Sequence, residues 1–151
     1  MSSPPVHHID VRAFRYATEV PDRVDAALQA VYPRLGEDEE PTIERTVTEG
    51  HYGHRIDIYE FHLDENRAIE TLFERIRDHG ELSRLIEELP DRINDETELF
   101  VRFDKQAAYT DEELIFGPGI ELRAKVEAYP AKREAAIKNL TEYLTALDEG
   151  Q

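Results

Sequence analysis

Cysteine is missing from this 151-residue chain, and lysine is nearly so. The first absence excludes disulfides, thiolate metal centres and a cysteine nucleophile together, so any metal would have to sit on histidine and carboxylates. No apolar run approaches the roughly 20 residues of a membrane-spanning helix, and the start lacks a basic segment followed by an apolar one. The expectation is a cytoplasmic protein with no membrane partner. Also missing are G-x-S-x-G, the phosphate-loop lysine motif and G-x-G-x-x-G, while Gly117-Pro118-Gly119 reads as a turn. No repeat of 20 to 50 residues is present.

What the chain has in excess is negative charge: 34 Asp plus Glu against 18 Lys plus Arg, a formal net of −16. Lys105, Lys125, Lys132 and Lys138 are the whole lysine supply. In dilute buffer such a charge repels itself, but at molar salt the Debye length falls to about 3 Å. The balance reads as adaptation to the cytosol of a salt-accumulating microbe, since hyperthermophile surfaces are enriched in Lys as well as Glu. With this many carboxylates, no pair of them stands out as acid and base.

Hydrophobic residues make up 40% of the chain, enough for one core, and the length suits one domain. That domain is expected over residues 6–147, with flexible ends at 1–5 and 148–151. His8 to Tyr16 alternates as a strand does. Pro21 opens a helix over Asp22 to Tyr32, which Pro33 and Gly36 end. Thr42 to Glu49 and Arg55 to Leu63 form a hairpin around Gly50-His51-Tyr52-Gly53-His54. Ile69, Leu72, Phe73 and Ile76 mark a helix, Gly80 interrupts it, and Leu82, Leu85, Ile86 and Leu89 mark another that stops at Pro90. Thr97 to Phe103 is a strand, Ile120 to Tyr129 is the clearest strand, and a last helix starting at Pro130 carries Ile137, Leu140, Leu144 and Leu147. The order βαββα(α)ββα predicts an α+β domain: a mainly antiparallel sheet of about five strands with helices packed on it.

If the aliphatic residues face the helices, Arg12, Phe14, Tyr16, Tyr59, Phe61, Phe100, Arg102, Arg123 and Lys125 collect on the other sheet face. Rings and guanidinium planes there could stack on unpaired bases while the cations meet phosphate; the alternative is a second core beneath a further helix. Where the fourth strand ends, Arg102, Lys105 and Gln106 bring together a planar fork, a compact ammonium and an amide suited to phosphate and base contacts, or else form a solvated strand end. The Gly50 to His54 loop could present His51, Tyr52 and His54 to a groove or a base. His7-His8-x-Asp10 and His51-x-x-His54 raise a metal reading, but neither has the helical i, i+4 spacing, and neighbouring His7 and His8 should point to opposite faces of a strand. No metal and no cofactor is expected.

The segments His8-Ile9-Asp10-Val11-Arg12-Ala13-Phe14, Glu49-Gly50-His51-Tyr52-Gly53, Val101-Arg102-Phe103-Asp104-Lys105-Gln106-Ala107-Ala108 and Lys125-Val126-Glu127-Ala128-Tyr129-Pro130 resemble a known family. It comprises the archaeal predicted RNA-binding proteins of the exosome gene neighbourhood, which share the fold of the ribosomal protein that binds the smallest large-subunit rRNA. His54 stands where that family tends to carry asparagine. The resemblance implies a non-enzymatic RNA-binding accessory protein linked to RNA processing or ribosome assembly, with exosome or ribosome components as further partners and no DNA. Arg12, His51, Tyr52, Arg102, Lys105, Gln106, Arg123 and Lys125 are the candidate RNA contacts. Two other classes stay open: a module docking on an RNA-processing complex through the sheet face or an edge, and a metal-dependent hydrolase built on His51, His54 and the amide-lysine cluster.

Overall fold

The structure, a computed structural model, is described for residues 3–16, 20–36, 39–49 and 55–150. Its strands are β1 (Val6–Arg15), β2 (Glu44–Glu49), β3 (Arg55–Leu63), β4 (Glu98–Asp104) and β5 (Gly119–Val126). Its helices are α1 (Pro21–Val31), α2 (Asn66–Asp78), α3 (Leu82–Arg92), α4 (Lys105–Asp111) and α5 (Arg133–Asp148). The strands form one antiparallel sheet in the order β2-β3-β1-β5-β4, so this is the expected α+β class, with β1 at the centre.

Alternation along the strands decides where the core lies. Ile9, Val11 and Ala13 of β1, Leu99, Val101 and Phe103 of β4, and Ile120, Leu122, Ala124 and Val126 of β5 are all buried. Against them pack Val24, Ala27, Leu28 and Val31 of α1, Ile69, Leu72, Phe73 and Ile76 of α2, Leu82, Leu85 and Leu89 of α3, and Leu140 and Leu144 of α5. These four helices thus bury their apolar stripes on the same sheet face.

The expected set of face-sharing aromatics is corrected on β3. Tyr59 and Phe61 are in the core, opposite Ala13 and Val11 of β1, while Ile56 and Ile58 lie on the other face. Both faces of this strand carry apolar residues, so side-chain type did not say which was inner. Phe61 is held by an edge-on contact with Tyr32, ring centroids 4.9 Å apart.

Further departures concern boundaries. Pro90 lies inside α3, near its end, because the last turn proceeds to Arg92 with one backbone donor fewer. The final helix begins at Arg133 rather than at Pro130. In β1 the register with β5 shifts between Val6 and His8, a bulge that turns Val6 into the core and leaves both His7 and His8 outside it. Strict alternation, and with it the expected opposition of His7 and His8, fails at that point.

α4 was not expected. Asp104, the last residue of β4, caps it by accepting from the Ala107 N–H at 2.9 Å. The junction sits on the Gly117-Pro118-Gly119 turn: Lys105 N–H donates to the Pro118 carbonyl at 3.0 Å and Asp104 N–H to Ile115 at 2.8 Å. A Cβ on Gly119, whose φ is +124°, would lie 2.4 Å from Lys105 Cβ. Strained backbone and steric overlap add at this position, so Gly119→Ala should lower stability by about 2 kcal/mol or more. Denaturant unfolding would show this as a lower midpoint at unchanged slope; an unchanged midpoint would contradict the packing.

Candidate nucleic-acid interface

Because the helices occupy one face, the other is open. Along β1, β5 and β4 it presents Asp10, Arg12 and Phe14, then Glu121, Arg123 and Lys125, then Glu98, Phe100 and Arg102. Phe100 is 45% exposed, and a ring so placed offers a stacking surface. Arg102 is the freest cation of the set, its side chain 70% exposed.

The face alternates in sign. Arg12 lies 3.4 Å from Glu121 and over the Phe14 ring at 5.4 Å, Arg102 is 3.8 Å from Glu121, and Arg123 is 3.7 Å from Glu98. These exposed pairs contribute little to stability, and salt weakens them further. Their guanidinium groups can therefore exchange a carboxylate for another acceptor at small cost. Asp10, Arg12, Glu60, Phe100, Arg102 and Arg123 line a shallow groove of about 450 Å³.

A second cleft, of about 520 Å³, adjoins the first over the β4 edge, and Phe100 and Arg102 line both. On its far side Arg84 and Arg92 of α3 lie over the Phe116 ring at 5.0 and 4.8 Å. Glu88 holds both arginines, at 3.2 and 2.9 Å, and their hydrogen bonds, Arg92's above all, keep its carboxyl below the usual carboxylate range. Arg84, Arg92 and Phe116 were not among the contacts expected from the sequence. The i, i+4 spacing of Arg84, Glu88 and Arg92 was readable, but their meeting with Phe116 depends on the loop before β5.

Of the expected contacts, Lys105 is half-buried and its Nζ donates to the Phe14 carbonyl at 3.1 Å, joining α4 to the end of β1. Gln106 is exposed in the first turn of α4. Lys125 Nζ donates to the Glu96 carbonyl at the opposite end of the sheet. Arg12, Arg102 and Arg123 share the open face, whereas Lys105 and Lys125 occupy its two ends. His51, Tyr52 and His54 lie outside the described residues.

At the Lys105 end three strands build a site that sequence reasoning missed. Asp57, fully buried on β3, accepts from Arg15 of β1 at 3.0 Å, Arg45 of β2 at 2.7 Å and Arg55 at 2.9 Å. Arg45 also lies over Tyr59 at 5.7 Å. Three guanidinium groups on one carboxylate leave the cluster net positive, within a chain that is strongly negative. From the sequence Asp57 shares the phase of Tyr59 and Phe61, which were expected on the outer face, so it gave no signal of burial, and its partners, from three strands, needed the register.

The comparisons with known proteins agree with one another. RNA-binding protein PAB1135 of Pyrococcus abyssi is 32% identical over 149 residues, covering 94% of this chain and 96% of that protein. Mth689, a DUF54 protein from Methanothermobacter thermautotrophicus, has a solved structure that superposes with a TM-score of 0.75 at 35% identity, covering 92% of this chain and 98% of that one. SSO0741 from Sulfolobus solfataricus, at 24% identity over 90% of this chain and 98% of its own, shares the fold with a TM-score of 0.63. The relatives and the one-sided α+β sheet define an archaeal class of proteins. A family model described as RNA binding matches residues 8–126, and the chain belongs to that family.

The hydrogen bond from Arg45, with that from Arg55, holds the Asp57 carboxyl down to about 2, against burial that would raise it. An ordinary aspartate titrates near 3.9, so the stabilisation is present above about pH 4 and is lost as pH falls through the folded value near 2. Asp57→Asn should lower the melting temperature at pH 7. It should also remove the acid-destabilised component between about pH 4 and 2 from the pH profile of unfolding; a variant with the parent's profile would show that Asp57 does not carry it.

Proposed function

We propose that the chain is a non-enzymatic RNA-binding protein whose open sheet face, continued into the β4-edge cleft, takes single-stranded or looped RNA. The observation that supports this most is the position of Phe100 and Arg102: an exposed ring and an exposed guanidinium shared by two adjoining grooves, with Arg84, Arg92 and Phe116 on one side and Arg12 and Arg123 on the other. Bases stack on rings and guanidinium planes, which suits a surface whose cations are interleaved with carboxylates better than phosphate attraction alone. Family membership and the name of the Pyrococcus protein point the same way. Lys105 shares a smaller pocket with Phe14 and Arg102, and Lys105, Gln106, Lys125, His51 and Tyr52 complete the proposed contact set.

The proposed setting is RNA processing beside the exosome, or ribosome assembly, on a fold related to the ribosomal protein that binds the smallest large-subunit rRNA. The acidic balance fits work at high salt, where counterion release contributes little and stacking and hydrogen bonding carry the affinity. Two measurements follow. Phe100→Ala and Arg102→Ala, both at exposed positions, should each weaken binding of a single-stranded RNA oligonucleotide about tenfold at about 2 M KCl in fluorescence anisotropy; unchanged affinity for both would remove this face from consideration. The thermal midpoint of the parent should rise as KCl goes from about 0.1 to about 2 M, because self-repulsion is screened. A midpoint that falls or stays constant would contradict the adaptation to salt.

A further inference from the structure

At the end of the sheet away from Asp57, three potential metal ligands converge: His8 and Asp10, which share one sequence motif, and His62, which sequence spacing did not connect to them. Asp10 of β1 is paired in register with His62 of β3, and His8 lies two residues before it on the same strand. His62 Nδ1 is 2.7 Å from Asp10 Oδ1, and His8 Nδ1 is 3.4 Å from Asp10 Oδ2. The two imidazole rings are 5.4 Å apart, and one ligand atom from each residue lies within 4.8 Å of the others. We propose that His8, Asp10 and His62 form a binding site for a divalent transition-metal ion of the zinc class, holding it with two imidazoles and one carboxylate and leaving a further position open.

The separations suit such an ion. Bonds of about 2.0 to 2.2 Å in tetrahedral geometry place ligand atoms about 3.3 Å apart. The His8 to Asp10 distance already matches, and the His62 to Asp10 contact has to widen by about 0.6 Å on side chains that are at least one-third exposed. His8 Nδ1 is shielded from solvent, and its approach to Asp10 Oδ2 at 3.4 Å is not a hydrogen bond, so among the described residues this nitrogen has an ionic neighbour but no hydrogen-bond partner. A metal would supply that partner. On its other side, His62 Nε2 is 4.0 Å from Asp64 Oδ2, so a small movement of this exposed carboxylate would let it accept the Nε2 proton and hold Nδ1 as the ligating nitrogen.

The bulge between Val6 and His8 is what brings His8 to this place. Two nitrogens and one oxygen favour zinc, cobalt or nickel over magnesium or calcium, which prefer oxygen ligands throughout. Arg123 and Lys125 stand beside Asp10 and His8 on β5, but Arg123 faces Glu98 and Lys125 is tied to the Glu96 carbonyl, drawing their charge toward β4.

The test uses the full chain without a histidine tag, stripped with chelator and titrated with zinc against a chromophoric competitor. One ion per chain should bind, and His8→Ala, Asp10→Asn and His62→Ala should each weaken it by at least tenfold. His7→Ala and the His51→Ala, His54→Ala double variant should bind as the parent does. Circular dichroism would establish that each variant is folded, and zinc should raise the parent's melting temperature but not that of His62→Ala. Cobalt in place of zinc should give visible absorption bands that His62→Ala abolishes. No binding at about 10 µM zinc, or equal binding by the parent and the three ligand variants, would overturn the site.

Discussion

Burial of a single sheet face is the constraint on which the remaining features depend. β1 lies between β3 and β5, and its Ile9, Val11 and Ala13 meet the helices while Asp10, Arg12 and Phe14 do not. If helices covered both faces, a charge at Arg12 or Arg123 would need a buried partner at substantial desolvation cost. With one face open, the same strands carry a hydrophobic core and a polar, solvent-facing surface, divided by the two-residue period of the pleat. The surplus of acid can then sit on the helices and loops without entering the core.

The two ends of the sheet have separate chemistry. One gathers Arg15, Arg45 and Arg55 around Asp57, with Lys105 bonded to the Phe14 carbonyl nearby. The other brings His8, Asp10 and His62 together. The groove on the open face runs from Asp10, next to the histidines, to Phe100 and Arg102 at the β4 edge. A ligand lying along it would meet stacking surface and guanidinium groups at the β4 edge and imidazoles beyond β1, so its two ends would be distinguished by chemistry as well as by shape.

Much of this architecture was legible because polar residues interrupt most strands regularly. β5 alternates Ile120, Leu122, Ala124 and Val126 with Glu121, Arg123 and Lys125, which specifies the inner face without any knowledge of its neighbours. β3 offers no such contrast: Ile56 and Ile58 compete with Tyr59 and Phe61, and Asp57, the residue that argues against the true inner face, is the buried one. α4 is seven residues long and starts immediately after a strand, leaving no room for a periodic stripe. Arg102 and Arg123 were correctly placed on the outer face because strand alternation is local. The Asp57 cluster, the Phe116 cleft and the His62 contribution depended on pairing between distant segments, which one sequence does not disclose.

The sheet's two borders are protected by different means. Along β4 the outward backbone groups are already occupied: Asn94 N–H donates to Glu98, Arg92 to Phe100, Gly117 N–H to Arg102, and Asp104 N–H to Ile115. Along β2 every residue is exposed, and Glu44, Arg45 and Glu49 provide its charge. Charge discourages a neighbouring strand from adding to such a border. Salt weakens that deterrent while leaving the hydrogen bonds at β4 in place, so concentrated electrolyte makes the β2 margin the one where the ribbon can lengthen.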